Sequence, residues 1–428
     1  MIFTSQEASV HGDSTVRSNL INARLLFVYF AALTPSLGTA LAAFGRLGLY
    51  MTALCVILAS WRKLSSTNNR SAVLFQWQAV VFAMIAYMAL TILWTNSEFG
   101  KAVDSWVRYS RFLTLVVVWY LIRSREEAQA VLKVFILGQL FVVASSFFLV
   151  WGITVPWATA RTSSTTYAVF GSYLEQSVTE AVLAFILWFQ RDTIFGKKWR
   201  CLAIAASFIT IIHVVGFLNG RTGHAVVLAL LCLAAAYKLP RKWLPAVVLL
   251  PVIFASAIFI VSKTARDRAL IVERELVAYN AKVDLTTSVG QRLNFWHTSV
   301  KVIAEKPITG HGAGSWNVEY RRLMGNQLPP HLATVDNPHQ VFLLWAVEGG
   351  LTGLLLFGLL IYSLLLKSRT LGDPDAQTLQ SALLAMCVAG LFNSTPHGIG
   401  IGDFFCVLLG IMLASGSGKV SRLPTMTS

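Results

Sequence analysis

Three short polar segments interrupt an otherwise apolar chain, and each brings a chemically useful side chain to a helix end. Asn219-Gly220-Arg221-Thr222-Gly223 lies between two apolar stretches. Gly290-Gln291-Arg292 opens an amphipathic segment, where a helix start favours anions and a guanidinium adds bidentate phosphate recognition. In Asp336-Asn337-Pro338-His339-Gln340, Asn337 reads as an N-cap, Pro338 as the first helical residue and His339 as the second. The positive end of that helix disfavours imidazolium and leaves a neutral ring able to act as a general base. Each residue also has a plainer reading: Arg221 as a snorkelling arginine, Arg292 as a solvated one, His339 as a capping or interfacial group.

The elements that must position these groups are membrane spans. The chain has 428 residues, 55% hydrophobic and 13% charged, too few charges to coat a soluble domain. Apolar stretches near the roughly 20 residues that cross a bilayer recur along it. They fall at about 22 to 38, 44 to 61, 74 to 94, 103 to 122, 128 to 152, 171 to 190, 199 to 217, 223 to 238, 242 to 262, 339 to 366, 378 to 393 and 400 to 417. The expected fold is therefore an all-α polytopic membrane protein of about twelve transmembrane helices, one domain over residues 1–428. The polar start, Met1 to Arg24, lacks the apolar core and cleavage site of a signal peptide. The five cysteines lie in or beside apolar spans without metal-ligand spacing and read as small hydrophobes.

The formal charge of +15 is distributed as the positive-inside rule requires, which argues against nucleic acid as a partner. With the N-terminus inside, the inward segments carry 18 Lys and Arg, and the short outward loops hold only Arg46, Lys101, Arg161 and Arg221. Both termini are expected in the cytoplasm. One long loop, 263–338, separates the ninth and tenth spans and faces outward. Its segment Arg292 to Lys306 spaces Leu293, Trp296, Val300 and Ile303 as an amphipathic helix suited to the membrane surface, with Trp296 at the interface. The turn Pro307-Ile308-Thr309-Gly310-His311-Gly312-Ala313-Gly314 follows. It lacks the preceding strand and the Gly-Lys-Ser/Thr ending of a phosphate loop, so no nucleotide cofactor is expected.

After His339-Gln340 come nine residues, Gly350, two residues and Gly353. This pattern resembles the motif of the O-antigen ligase family, in which His and Asn, Ser or Gln are followed by nine residues, Gly, two residues, and Gly, Thr or Val. Arg221 in its short outer loop, Arg292 near the start of the large-loop helix, and Pro307 with the glycine-rich turn are similar to features of that family. The resemblance covers roughly residues 205 to 395. It implies a GT-C-like membrane glycosyltransferase with a periplasmic active site in the bacterial inner membrane. Such an enzyme moves O-antigen from undecaprenyl diphosphate to a sugar hydroxyl of lipid A core. Arg221 and Arg292 would stabilise the departing diphosphate and His339 would deprotonate the acceptor. Inversion is expected, since no candidate nucleophile is present.

Many glycosyltransferases use a divalent cation for the same charge, but the one closely spaced carboxylate pair, Asp373-Pro374-Asp375, falls in an expected cytoplasmic loop as a solvated turn. The expectation is a metal-free site. Arg108 and Arg111, about one turn apart, and Arg161 in a Ser/Thr-rich outer loop are candidates for a diphosphate groove or for anchors to lipid headgroups. Asn337 and Gln340 beside His339 are candidates for binding diphosphate or glycan. Glu175, Glu180, Glu348 and Asp403 lie in or at the edges of spans, where ionisable groups are costly; they are functional or pair with arginines to order the bundle. The alternatives are an O-antigen polymerase or protein O-oligosaccharyltransferase of the same superfamily, and a transporter of lipid-linked glycan. A single sizeable outer loop favours the ligase, and basic residues at the outer lip rather than the midplane disfavour a transporter.

Overall fold

The computed structural model describes residues 23–64, 76–160, 163–218, 220–243, 287–325 and 328–416, with the isolated positions 247, 249 and 256. These residues are helical and contain no strand. The helices are α1 (Ala23–Ser36), α2 (Thr39–Leu64), α3 (Trp77–Leu90), α4 (Phe99–Ser110), α5 (Phe112–Leu121), α6 (Arg125–Val150), α7 (Tyr173–Phe189), α8 (Gly196–Gly216) and α9 (Arg221–Lys238). They continue with α10 (Ser288–Glu305), α11 (Trp316–Met324), α12 (Val341–Ser368), α13 (Asp373–Phe392) and α14 (Ile399–Ser415).

Five stretches are long and apolar enough to cross a membrane: Thr39–Leu58, Trp77–Trp94, Arg125–Val150, Gly196–Gly216 and Val341–Ser368. Side chains such as Leu26, Phe44, Leu202 and Leu355 point outward and exposed, as lipid-facing helices require. The protein is a helical membrane protein. The other expected spans coincide with shorter, broken or more polar helices: 103 to 122 is split between α4 and α5 at Arg111, and 242 to 262 falls almost wholly outside the described residues. At the centre lies α14, apolar but for Asp403 near its start and buried from Ile401 to Ser415, packed on α5, α6, α13 and α2. Gly410 lets it approach α5: a Cβ there would stand 2.8 Å from Val118 Cβ.

The large-loop segment has a small core of its own. Phe295 and Val302 of α10, Trp316 and Tyr320 of α11, and Leu332 pack against Leu344 and Val347 of α12. The buried stripe of α10 is thus only partly the one the sequence pattern suggests. Val300 is exposed, while Trp296 and Ile303 pack against this core and Trp296 Nε1 donates to Pro338 O at 3.2 Å.

Two helix starts also differ from expectation. α10 begins at Ser288, with Thr287 Oγ1 accepting from Gly290 N at 3.1 Å, so Arg292 sits in the second turn rather than at the opening. α12 begins at Val341, and its N-cap is Gln340, whose Oε1 accepts from Leu343 N at 2.6 Å, not Asn337. An amide side chain at position 340 competes successfully for the free helix donors. This leaves Pro338 and His339 in the preceding turn.

Gly350 interrupts α12 with φ +63°. Pro307 to Gly312 dock into the break: His311 N donates to Val347 O at 2.8 Å, Gly312 N to Glu348 O at 2.9 Å, and Leu351 N to Pro307 O at 2.8 Å. Backbone groups freed by the break are satisfied by the loop, the condition under which a broken helix is tolerated at a membrane. The motif glycine is therefore the joint between the large-loop segment and the bundle.

Candidate functional site

His339 precedes the break and is held from three sides in the turn before α12. Its backbone is left-handed, φ +53°, a conformation uncommon outside glycine. Asn337 Oδ1 accepts from His339 N at 3.0 Å and from Ser394 Oγ at 2.9 Å, fastening the turn to the segment after α13. The imidazole Nδ1 lies 3.4 Å from Asn393 Oδ1. That acceptor assigns the proton to Nδ1 and leaves Nε2 with its lone pair. Phe295 packs 6.0 Å from the ring, centroid to centroid.

Burial holds the His339 pKa below the ordinary histidine value, and the positive charge of Arg292 adds to the effect against the Asn393 hydrogen bond. The sequence points to the helix dipole as the cause; in the structure His339 lies before the helix and the first cause is burial. Arg292, Phe295 and Trp296 share one face of α10 at three- and four-residue spacing, which is how one helix supplies both the charge and the packing around His339. Arg221 is the first residue of α9, where the helix end itself favours anions. Gly220 and Gly223 press its loop onto α7: a Cβ on Gly220 would lie 2.2 Å from Ser177 Oγ. Burial and then the charge of Arg221 lower the pKa of Arg292, so two guanidinium groups from distant parts of the chain act on one another. Neither has a hydrogen bond or ion pair to a carboxylate among the described residues. Like charges brought together without a counter-charge form an anion site.

His339 lines a polar cavity of about 150 Å³ with Arg108, Glu175, Thr222, Asn337, Asn393, Ser394 and His397. Arg108 is half-buried and paired with Asp104 at 2.7 Å and with Asp336 at 3.1 Å. Arg111 does not line the cavity. It is buried beneath it and donates to His397 O at 2.7 Å, so the two arginines do not act as one pair. Gln340 is committed to its cap, and Arg161 lies outside the described residues.

Asn393, Ser394 and His397 were not singled out by the sequence reading. Their signal was the polar Asn393-Ser394-Thr395-Pro396-His397 turn between the last two apolar stretches, similar in kind to the turn at Asp336. Burial, then Arg108 and Arg111, keep the His397 pKa well below its ordinary value, and the ring packs 4.5 Å from Tyr109. Tyr109 OH and Ser105 Oγ each donate to the Glu348 carboxylate at 2.8 Å. Asp403 accepts from Arg46 at 2.5 Å, and Glu180 pairs with His213 at 2.7 Å. Of the four intramembrane acids, three are thus engaged in the bundle and Glu175 alone faces the cavity unpaired, among the described residues.

Asp375 is not solvated: it is buried at the start of α13, accepting from Gln190 Nε2 at 3.0 Å. Glu305, His311 and Glu319 bring ligand-type atoms within 4.8 Å of one another, but Arg322 donates to both carboxylates, and none of the three lines the cavity.

Arg221 and Arg292 do not line the polar cavity, but Arg292 acts electrostatically on Arg221 and on the neutral imidazole of His339, which does, an arrangement able to hold an anionic group beside a proton acceptor. Residues 205–358 match the O-antigen ligase family, a family of membrane glycosyltransferases of the ligase and polymerase type, and this bears out the family resemblance over that part of the chain. A Haemophilus influenzae protein described only as uncharacterized is 22% identical over 210 residues, 48% of this chain and 50% of that one. The chain thus spans about half the length of the curated relative it matches.

Proposed function

We propose that this protein is an O-antigen ligase of the bacterial inner membrane. It transfers O-antigen polysaccharide from undecaprenyl diphosphate to a sugar hydroxyl of lipid A core on the periplasmic face. Arg221 and Arg292 hold the diphosphate; His339 Nε2 takes the acceptor hydroxyl proton as the oxygen bonds to the anomeric carbon. The bond from that carbon to the phosphate oxygen breaks, its electron pair leaves with undecaprenyl diphosphate, and the gained charge rests on the two guanidiniums. Attack opposite the leaving group inverts the anomeric centre. Two fixed cations at the leaving group do the work that a divalent ion does elsewhere, so the reaction runs without metal. Both termini are cytoplasmic, and residues 263–338 form the periplasmic loop.

The observation that carries this reading is the pair Arg221 and Arg292, without carboxylate partners among the described residues, with the charge of Arg292 reaching a His339 kept neutral. The test is transfer from an undecaprenyl-diphosphate glycan to lipid A core by the purified protein in excess chelator, for wild type and for Arg221→Ala, Arg292→Ala and His339→Ala. Chelator-resistant transfer that all three variants lose is the expected result. Extension of the donor, or transfer to protein, in place of transfer to core would overturn the choice of acceptor; loss of wild-type transfer in chelator would overturn the metal-free mechanism.

A further inference from the structure

Glu175 differs from Glu180, Glu348 and Asp403 in having no hydrogen bond or ion pair among the described residues. It lies in the first turn of α7 and lines the cavity that holds His339. It also lines a second cavity, bordered by Ser36, Thr39, Gln139, Phe170, Gln176 and Thr179. Glu175 and Ile401 are the two residues common to both, so the cavities run in series with this carboxylate at their junction. Gly398 leaves the space it occupies: a Cβ there would meet Glu175 Oε1 at 2.6 Å.

Resting on the proposed transfer reaction, we infer that Glu175 and the two cavities it joins form the acceptor subsite, taking a sugar through its hydroxyls. A carboxylate repels a diphosphate, so the leaving group stays with Arg221 and Arg292. The same carboxylate accepts hydrogen bonds from two sugar hydroxyls at once, each charge-assisted. Around it are neutral groups that suit hydroxyls, Asn337, Asn393 and Ser394 in the first cavity and Gln139, Gln176 and Thr179 in the second, with the Phe170 ring as an apolar wall, while Arg108 in the first cavity is paired with Asp104 and Asp336. The hydroxyl that His339 deprotonates belongs to the acceptor, and the sugar bearing it lies in the cavity His339 lines. Glu175 holds neighbouring hydroxyls and so selects which acceptor sugar presents its oxygen to the base.

The experiment uses the purified full chain with lipid A core as varied acceptor at saturating donor, and the reverse, for wild type, Glu175→Ala, Glu175→Gln and Gly398→Ala, with thermal unfolding to confirm folding. Glu175→Ala should raise the acceptor KM about tenfold or more, the loss of a hydrogen bond to a charged group, with the donor KM within about twofold. Glu175→Gln, which keeps an acceptor oxygen, should recover part of that loss, and Gly398→Ala should shift the acceptor KM in the same direction by crowding the carboxylate. A rise in donor KM, or a fall in kcat with both KM values unchanged, would overturn the inference while leaving the transfer reading in place. Absence of transfer by wild type would overturn both.

Discussion

Gly310 and Gly350 meet backbone to backbone where the large-loop segment enters the break in α12: a Cβ on Gly310 would lie 2.4 Å from Gly350 N, and one on Gly350 would lie 2.3 Å from Ile308 O. Both are left-handed, at φ +68° and +63°. This contact couples the helix that carries Arg292 to the helix that follows His339, and it gives the spacing from His339 to Gly350 a mechanical meaning.

Gly350→Ala and Gly310→Ala should each destabilise the protein by at least about 1–3 kcal/mol from backbone strain alone, with the steric clash in addition. Gly353→Ala should be tolerated, because a Cβ there finds its nearest neighbour at 3.5 Å, ordinary contact. Thermal unfolding in detergent distinguishes the three; equal stability of all three would contradict the role of the joint.

Removing either arginine should cost about 10²–10³ in kcat, the scale for losing a fixed charge-stabilising donor. Arg292→Lys should recover only part of that activity, since it keeps the charge and loses the planar fork. Steady-state kinetics at saturating donor and acceptor read the effect; full activity of Arg292→Lys would mean that charge alone suffices.

The pH profile should report His339. Its pKa is lowered from 6.5, so the neutral base persists at and above that value, and kcat/KM should fall only as pH drops below it. Asn393→Asp would set a carboxylate beside Nδ1, favour imidazolium and move the acid limb upward. An acid limb unchanged in Asn393→Asp would remove His339 from the titrating step.

Breaking the part-buried Arg46–Asp403 pair with Asp403→Ala should destabilise the bundle by about 1–3 kcal/mol, because a largely covered guanidinium then lacks its counter-charge. Arg111 also feels Asp403, so the turn at His397 should loosen with it. Hydrogen exchange over residues 393–398 would register this, and exchange indistinguishable from wild type would separate the pair from the site.

Much of this molecule is determined by sequence alone. Long apolar stretches with few charges can only be helices in a bilayer, where backbone groups must be satisfied within the segment, and these are read without knowing what packs on what. The candidates Arg221 and His339 stand out for a similar reason, since charged or titratable groups at the ends of apolar stretches are costly and conspicuous, and Arg292 stands out only as a cation early in the large-loop helix. Local competition for helix ends was less legible. Asn337 and Gln340 are both capable caps, and only the packed turn decides that Gln340 caps α12 while Asn337 holds the His339 amide.

What tertiary structure decided is which groups meet. Arg108 and Arg111 look equivalent one turn apart, yet the break at Arg111 sends one to the cavity and buries the other under His397. Four intramembrane acids look alike in sequence; Glu180, Glu348 and Asp403 find hydrogen-bond or ion-pair partners and Glu175 has none among the described residues. Asn393, Ser394 and His397 join His339 only because α13 and α14 bring their connecting turn beside the start of α12. Such pairings join residues tens to hundreds of positions apart, and helix periodicity specifies a face of each element but not the neighbour that face will find.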